Sequence, residues 1–431
     1  MKFYSAFTGM LLAFTAAAAQ GDFKTFADGF VSGYNALQIP QLELSYVGQL
    51  QQIPSLTAEK KQLEFFTGVK QGLKKFDPQK LTAAQRLDYR LIKYETDLNL
   101  TRVNLELGYI HTRPAIVATT GIYNIPNGKE WYKYLIKRWV NDDITPEYVY
   151  KYGLAEVERQ NKQIDAIRRE TGLDEAAFYK HLNDTSFYVT GRAKIQDVFE
   201  RVRAMVTKNL PRLFNNTDIP QVDIKAGDSK ALVQTPGYYD NNVFYYNALN
   251  NHINKRQIDW LFLHEAVPGH HYQSSVLAQA KVSAMQNLFY YMGFAEGWGA
   301  YAEEYGAELG LYRTPYDRLG KLEWGIVRSI RLPLDVGINY YGWTDEQALN
   351  LWKKYIKGQD EIALREIQRV RRWPAQVITY KHGAAKLMEW KSELMKEQGA
   401  RFDIRDFHDR VLSHGSLPFF MIRENVFAEA K

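Results

Sequence analysis

Apolar residues recur at helical spacing through most of the chain. In LTAAQRLDYRLIKYETDLNL, residues 81–100, the positions Leu87, Leu91, Tyr94 and Leu98 fall on one face, which predicts an amphipathic helix with Thr82 as its N-cap. Thr145-Pro146-Glu147 is a second start signal, with proline at the first helical position. The run after it carries Leu154, Val157, Ile164 and Ile167 until Gly172 ends it. From residue 22 to about 203 the pattern is mostly helical and reads as scaffold.

The period changes between residues 210 and 248. Pro211, Pro220 and Pro236 punctuate this stretch, and QTPGYYDNNVFYYNA predicts two short aromatic strands around Asp240-Asn241-Asn242. Helices resume near Lys255 and continue to the end, with breaks expected at Pro315, Gly342, Pro374 and Gly415. The expected fold is therefore mainly α, with a small β-hairpin. No internal repeat or flexible linker separates an N-terminal helical region, residues 20–205, from the following region, residues 206–431, so the two are expected to pack as one unit. Residues 1–19, from MKFYSAFTGMLLAFTAAAA, have the lysine, the short apolar run and the small residues of a cleaved signal peptide. That run falls short of the roughly 20 residues of a membrane span, so a periplasmic or secreted protein without stable membrane insertion is expected.

Composition narrows the chemistry. Among 431 residues there is no cysteine, which excludes disulfides, thiolate nucleophiles and cysteine-held metals. Any metal must sit on histidine and carboxylate. The net charge of +6 is scattered rather than bunched, which gives no nucleic-acid footprint.

The candidate chemistry lies in LFLHEAVPGHHYQ, residues 261–273. A zinc hydrolase needs three protein ligands, an open position and a base. The common helical solution is HExxH, with histidines four apart on one face. Here His264-Glu265 begins that motif, but position 268 is proline and the next histidines are His270 and His271. On a straight helix six residues turn through about 600° and seven advance about 10.5 Å, so neither would meet His264. Pro268, however, cannot donate to the carbonyl of His264 and crowds that turn, and Gly269 lets the backbone bulge. If the bulge absorbs two residues, His270 takes the place of the second HExxH histidine, with His271 as a neighbour facing the pocket. A third ligand is expected from MGFAEGWGAYAEEYGAELG, where Glu296 sits among small residues and Glu303 or Glu304 could hold a histidine's second nitrogen. His252, His408 and His414 read as structural.

HEAVPGHHYQ followed by AEGWGAYAEE resembles the signature of the bacterial domain of unknown function 885 family. LTAAQRLDYRLIKYE, YNIPNGKEWY, TPEYVYKYGLAEVERQ, PGYYD, GWTDEQA, PAQVITYKHG and FDIRDFHDRVLSHGSLP extend the likeness over nearly the whole chain. The resemblance implies a gluzincin-like zinc site, with His264, His270 and Glu296 as ligands and Glu265 as base. It also implies a large helical metallopeptidase-like fold with a deep channel, similar in layout to helical metallocarboxypeptidases and oligopeptidases.

A developing oxyanion needs a donor besides the metal. Tyr380 is preferred, because Pro374 and Gly383 suggest a functional turn around it, with His271, His382, Tyr340, Tyr341 and Arg331 as further candidates. Tyr238 and Tyr239, on a strand just before the metal helix, either flank a peptide bound along the strand edge or belong to a small hairpin that only stabilises the fold. The leading expectation is an exported zinc peptidase acting on short peptides. A zinc amidohydrolase or deacylase acting on a small non-peptide amide uses the same site, and a metal-retaining binding protein is the third reading, disfavoured by the presence of Glu265. Arg328, Arg331 or Lys381 facing the cleft would point to a substrate carboxylate.

Overall fold

The computed structural model describes residues 22–233 and 235–428; the expected signal peptide, residues 1–19, lies outside them. Helices dominate. The first group comprises α1 (Phe23–Ala36), α2 (Tyr46–Gln51), α3 (Leu56–Leu73), α4 (Ala83–Thr112), α5 (Gly128–Val140), α6 (Pro146–Glu170), α7 (Glu175–His181) and α8 (Arg192–Asn209). The second comprises α9 (Ile258–Glu265), α10 (His270–Gln279), α11 (Met292–Ala302), α12 (Pro315–Asn339), α13 (Asp345–Tyr355), α14 (Ala363–Arg372), α15 (Ile378–Gln398), α16 (Ile404–Leu412) and α17 (Phe419–Ala428).

The sequence signals for starts and stops act as the physics of helix ends requires. Thr82 caps α4 in a reciprocal capping box with Gln85, satisfying two backbone donors. Thr145 accepts a bond from the Tyr148 amide with Pro146 at the first helical position, and the chain leaves α6 at Gly172 with φ +74°. Pro315 begins α12 behind a Thr314/Asp317 capping box, and Gly342 and Gly415 turn with φ +76° and +80°. Gly383 is not a break. It lies inside α15 and has a different purpose, described below.

The two aromatic strands are β3 (Gly237–Asp240) and β4 (Val243–Asn247), preceded in the chain by β1 (Tyr188–Thr190) and β2 (Asp223–Gly227) and followed by β5 (His252–Asn254). Asn241 and Asn242 join β3 to β4 with φ of 43° and 68°, the pair of left-handed residues that a tight hairpin turn needs. Two pairings go beyond the expected hairpin. β2 adds to β4 in parallel, giving the order β2-β4-β3 with β3 at an edge, and β1 pairs antiparallel with β5.

Each buried apolar cluster draws on both halves of the chain. One joins α1, α3, α4 and α8 to the sheet, α9, α11 and the C-terminal helices; another packs Val157, Phe178 and Phe187 against Ile326, Ile330 and Val377. α12 contributes to the second of these and to a further cluster with Trp131 and Ile136, and is buried at every residue from Gly325 to Asn339. It carries Arg328, Arg331 and Asp335 into the interior, where charges must find partners. No helix of the described residues is long and apolar enough to cross a membrane.

Candidate metal centre

α9 approaches the centre through Trp260, Leu261, Phe262 and Leu263, all buried, which fixes the helix in the core and leaves His264 and Glu265 at its end. The chain then breaks. A cis Val267–Pro268 bond follows, and α10 begins at His270. The Tyr272 amide donates to the Ala266 carbonyl at 3.3 Å. That bond spans six positions where an α-helix spans four, so the break absorbs two residues and returns His270 to the face of His264. Gly269 is required by contact: a Cβ there would lie 1.9 Å from the His264 carbonyl oxygen. Trp298 of α11 donates its indole N–H to the Pro268 carbonyl at 2.8 Å, satisfying an acceptor that the break would otherwise orphan.

α11 supplies the third group. Glu296 Oε2 stands 3.5 Å from His264 Nε2 and 3.4 Å from His270 Nε2, and one donor atom from each of the three residues fits within 4.8 Å. Two ligands each about 2.1 Å from a tetrahedral zinc lie roughly 3.4 Å from one another, so the spacing fits such an ion. Glu296 Oε2 is buried with no hydrogen-bond donor, an acceptor that a cation would satisfy. Gly299 lies under the His264 ring, where a Cβ would meet Cε1 at 2.8 Å. Gly297 faces Gly383 of α15 so closely that a Cβ on either would lie about 2.6 Å from the other's Cα. That crossing brings Tyr380 near enough to donate its hydroxyl to Glu296 Oε1 at 3.0 Å.

A second layer orients the first. His264 Nδ1 lies 2.8 Å from Glu303 Oε1, two helical turns beyond Glu296, and Arg328 donates to the same carboxylate oxygen. With Nδ1 held by Glu303, Nε2 faces Glu296 and lies beside His270, the orientation a metal ligand needs. Glu304, the alternative partner, points away to Lys321.

Electrostatics follow from burial and these contacts. Burial disfavours charge on His264 and the Arg328 cation opposes it further, but the Glu296, Glu303 and Glu265 carboxylates around it prevail and raise its pKa to about 9. Burial likewise disfavours the Glu296 carboxylate, and the two histidines reverse this, holding it well below the usual range. For Glu265 burial prevails and raises the carboxyl, with His264 and His270 opposing.

The other sequence-derived candidates go elsewhere. His271 lies outside the triad: its Nε2 donates to the Pro220 carbonyl at 2.7 Å, and its Nδ1 stands 3.4 Å from the Tyr239 hydroxyl, so it anchors the strand to α10. His382 is held by Asp142 at 2.8 Å. Arg331 is spent on Glu366 at 2.6 Å. Tyr340 and Tyr341 follow α12, some 18 Å along its axis from Arg328 at about 1.5 Å per residue. His408, buried and bonded to Leu213 and Tyr301, is structural as expected. Tyr238 stacks on Tyr245 at 5.0 Å on β3, the edge strand, where Gly237 packs against Leu261 of α9. Tyr380 lies in the first turn of α15 rather than in a separate turn.

The sequence carries no signal for Gln376 and Arg369, which both donate to the Tyr380 hydroxyl at 3.4 Å. Nor did it single out Tyr290, 64% exposed, whose phenol is raised by surrounding protein and by the Glu296 charge.

The fold has relatives among solved structures. One, "the putative lipoprotein from Colwellia psychrerythraea", is 24% identical, with a TM-score of 0.66 over 86% of this chain and 69% of that one. Another, "a putative lipoprotein of unknown function from Shewanella oneidensis", is 17% identical, with a TM-score of 0.69 over 95% of this chain and 100% of that one. Identities this low establish the shared fold alone. No curated protein matches the chain. Residues 109–426 match the family described as bacterial protein of unknown function, DUF885, and the chain belongs to that family.

Proposed function

We propose that the protein is an exported, zinc-dependent hydrolase of peptide amide bonds. The observation that carries this reading is the His264–His270–Glu296 triad, its unsatisfied buried carboxylate oxygen aimed between two imidazole nitrogens, with Glu265 beside it. A His-His-Glu donor set suits zinc.

Held by these three residues, a zinc ion would supply Lewis acidity toward a carbonyl oxygen and acidify a water at its open position. Glu265 takes a proton from the water that attacks the carbonyl carbon, and delivers it to the amine nitrogen as the C–N bond breaks. The Tyr380 hydroxyl, 3.0 Å from Glu296, is within reach of the charge that builds on the carbonyl oxygen. Glu303 and Arg328 keep His264 in one tautomer, and the edge of β3 offers backbone groups to an extended substrate. Two structural neighbours described as putative lipoproteins support a location outside the cytoplasm. This chain has no cysteine to carry a lipid, so a cleaved leader releasing a periplasmic or secreted protein fits it better.

The test is metal content of wild type and Glu265→Gln, followed by incubation with a mixed peptide library read by mass spectrometry. One zinc per chain in both proteins, with cleavage by the wild type alone and at least about 1,000-fold less by the variant, is expected. Zinc without cleavage would remove the peptidase reading; no zinc after reconstitution would remove the metal centre.

A further inference from the structure

The cations that the sequence offers for a substrate carboxylate are neutralised inside the fold. Arg328 donates to Glu303, Arg331 to Glu366, and buried Lys381 pairs with Glu156 at 3.0 Å. Arg369 of α14 differs from all three. Among the described residues it has no carboxylate partner: its Nη2 donates to Gln376 Oε1 and to the Tyr380 hydroxyl, each at 3.4 Å. Its guanidinium lies over the Trp373 ring at 5.0 Å, which fixes the plane of the group. Its Nε is buried without an acceptor, and the residue as a whole remains half-exposed.

The acid nearest to it cannot serve. Glu366 feels Arg331, Arg369 and Arg365 together, but its close contacts are with Arg331 at 2.6 Å and Arg365 at 3.4 Å. Arg369 therefore keeps its charge without a carboxylate partner among the described residues, one hydrogen bond from Tyr380 at the edge of the candidate metal centre. Arg369 and the triad are two hydrogen-bond steps apart, 3.4 Å to Tyr380 and 3.0 Å onward to Glu296. The Tyr380 bridge therefore holds Arg369 within the reach of one amino-acid residue and one charge-assisted hydrogen bond, roughly 6 to 7 Å, of Glu296.

Resting on the hydrolase reading above, we infer that Arg369 binds the free carboxylate of a substrate whose scissile amide lies one residue inward, so that the site releases a single amino acid from a carboxyl terminus. Peptides and N-acyl amino acids share that chemistry. Water adds across the C–N bond, the acyl side leaves as a new carboxylate, and the amino acid leaves with its own carboxylate still facing Arg369. A planar guanidinium with unused donors suits a carboxylate because it can offer two parallel N–H bonds.

The test compares three substrates with one terminal residue: a tripeptide free acid, its C-terminal amide and the N-acetyl amino acid. For the zinc-loaded wild type, kcat/KM for the free acid should exceed that for the amide about 100-fold, as loss of a bidentate charged contact implies. In Arg369→Gln the ratio should fall to within about threefold, and Arg369→Lys should recover part of it. The ratio cancels any displacement of Tyr380, which would slow both substrates alike. The second readout is calorimetric binding of acid and amide to zinc-loaded Glu265→Gln, with and without Arg369→Gln; the acid should bind about tenfold tighter only when Arg369 is present. The faster of the tripeptide and the N-acetyl amino acid identifies the source of the carboxylate. Equal cleavage of acid and amide, or a preference that survives Arg369→Gln, would overturn this inference and leave the hydrolase intact. Cleavage of none of the three would sink the hydrolase reading, and the binding comparison would then decide whether Arg369 recognises a carboxylate.

Discussion

Gly269→Ala tests whether the metal centre depends on the backbone break rather than on ligand identity alone. The added Cβ would lie 1.9 Å from the His264 carbonyl oxygen, 2.3 Å from that of Leu263 and 2.4 Å from the His264 carbonyl carbon. All three are backbone atoms of α9, fixed in the core by Trp260 and Phe262, so no side-chain rotation relieves the contact. Restoring ordinary separation of about 3.4 Å moves the start of α10 by more than about 1 Å, whereas zinc ligand distances tolerate about 0.2 Å. His270, the next residue, is the proposed ligand displaced. Its loss should weaken zinc binding by more than the ten- to hundred-fold typical when an outer-shell partner is removed. Overpacking of this kind costs about 1–3 kcal/mol of stability, which a protein of this size can survive. Zinc affinity measured by chelator competition, with circular dichroism and a urea midpoint on the same samples, separates the two effects. A folded Gly269→Ala protein that binds zinc within threefold of wild type would refute the argument.

Two further outcomes follow from the surroundings of the triad and from the core. Glu303→Gln should weaken zinc binding about 10- to 100-fold while leaving far-UV circular dichroism unchanged, since it removes the charge that orients His264 without emptying the site; equal chelator-competition curves would contradict that role. His408 governs acid stability: burial depresses its pKa to about 3, against about 6.5 in an unfolded chain. As pH falls below about 6.5 the unfolded state gains a proton that the folded state refuses, so stability is lost between about pH 6.5 and 3, on the order of 5 kcal/mol from this group. Urea midpoints of His408→Gln should fall less steeply over that window, and curves parallel to wild type would count against the assignment.

Much of the architecture was written locally. Thr82, Thr145 and Pro146 set helix starts, Gly172 a stop, and Asn241-Asn242 the hairpin, because caps and turns are decided by contacts a few residues long. The same holds for the ligands. His264, Glu265, Pro268, Gly269 and His270 form one continuous segment, so the two-residue bulge could be reasoned from what proline forbids and glycine permits. Small residues around Glu296 likewise announced a close helix crossing, although not that Gly383 would be its other half.

Partners distant in the chain were decided only by tertiary packing. A period of 3.6 residues tells which face of a helix is apolar, not which helix covers it, and it misreads a face buried with its charges in pairs. Arg331 is held by Glu366, 35 positions on; His271 and His382 face Pro220 and Asp142 rather than the pocket. β2 joined β4 in parallel without any alternation that named its neighbour. The sequence by itself determined the helices, the hairpin and the residues able to hold a metal. Tertiary structure alone decided which cation remained unpaired beside them, because neutralising a charge depends on distances of a few ångströms between segments that the chain keeps far apart.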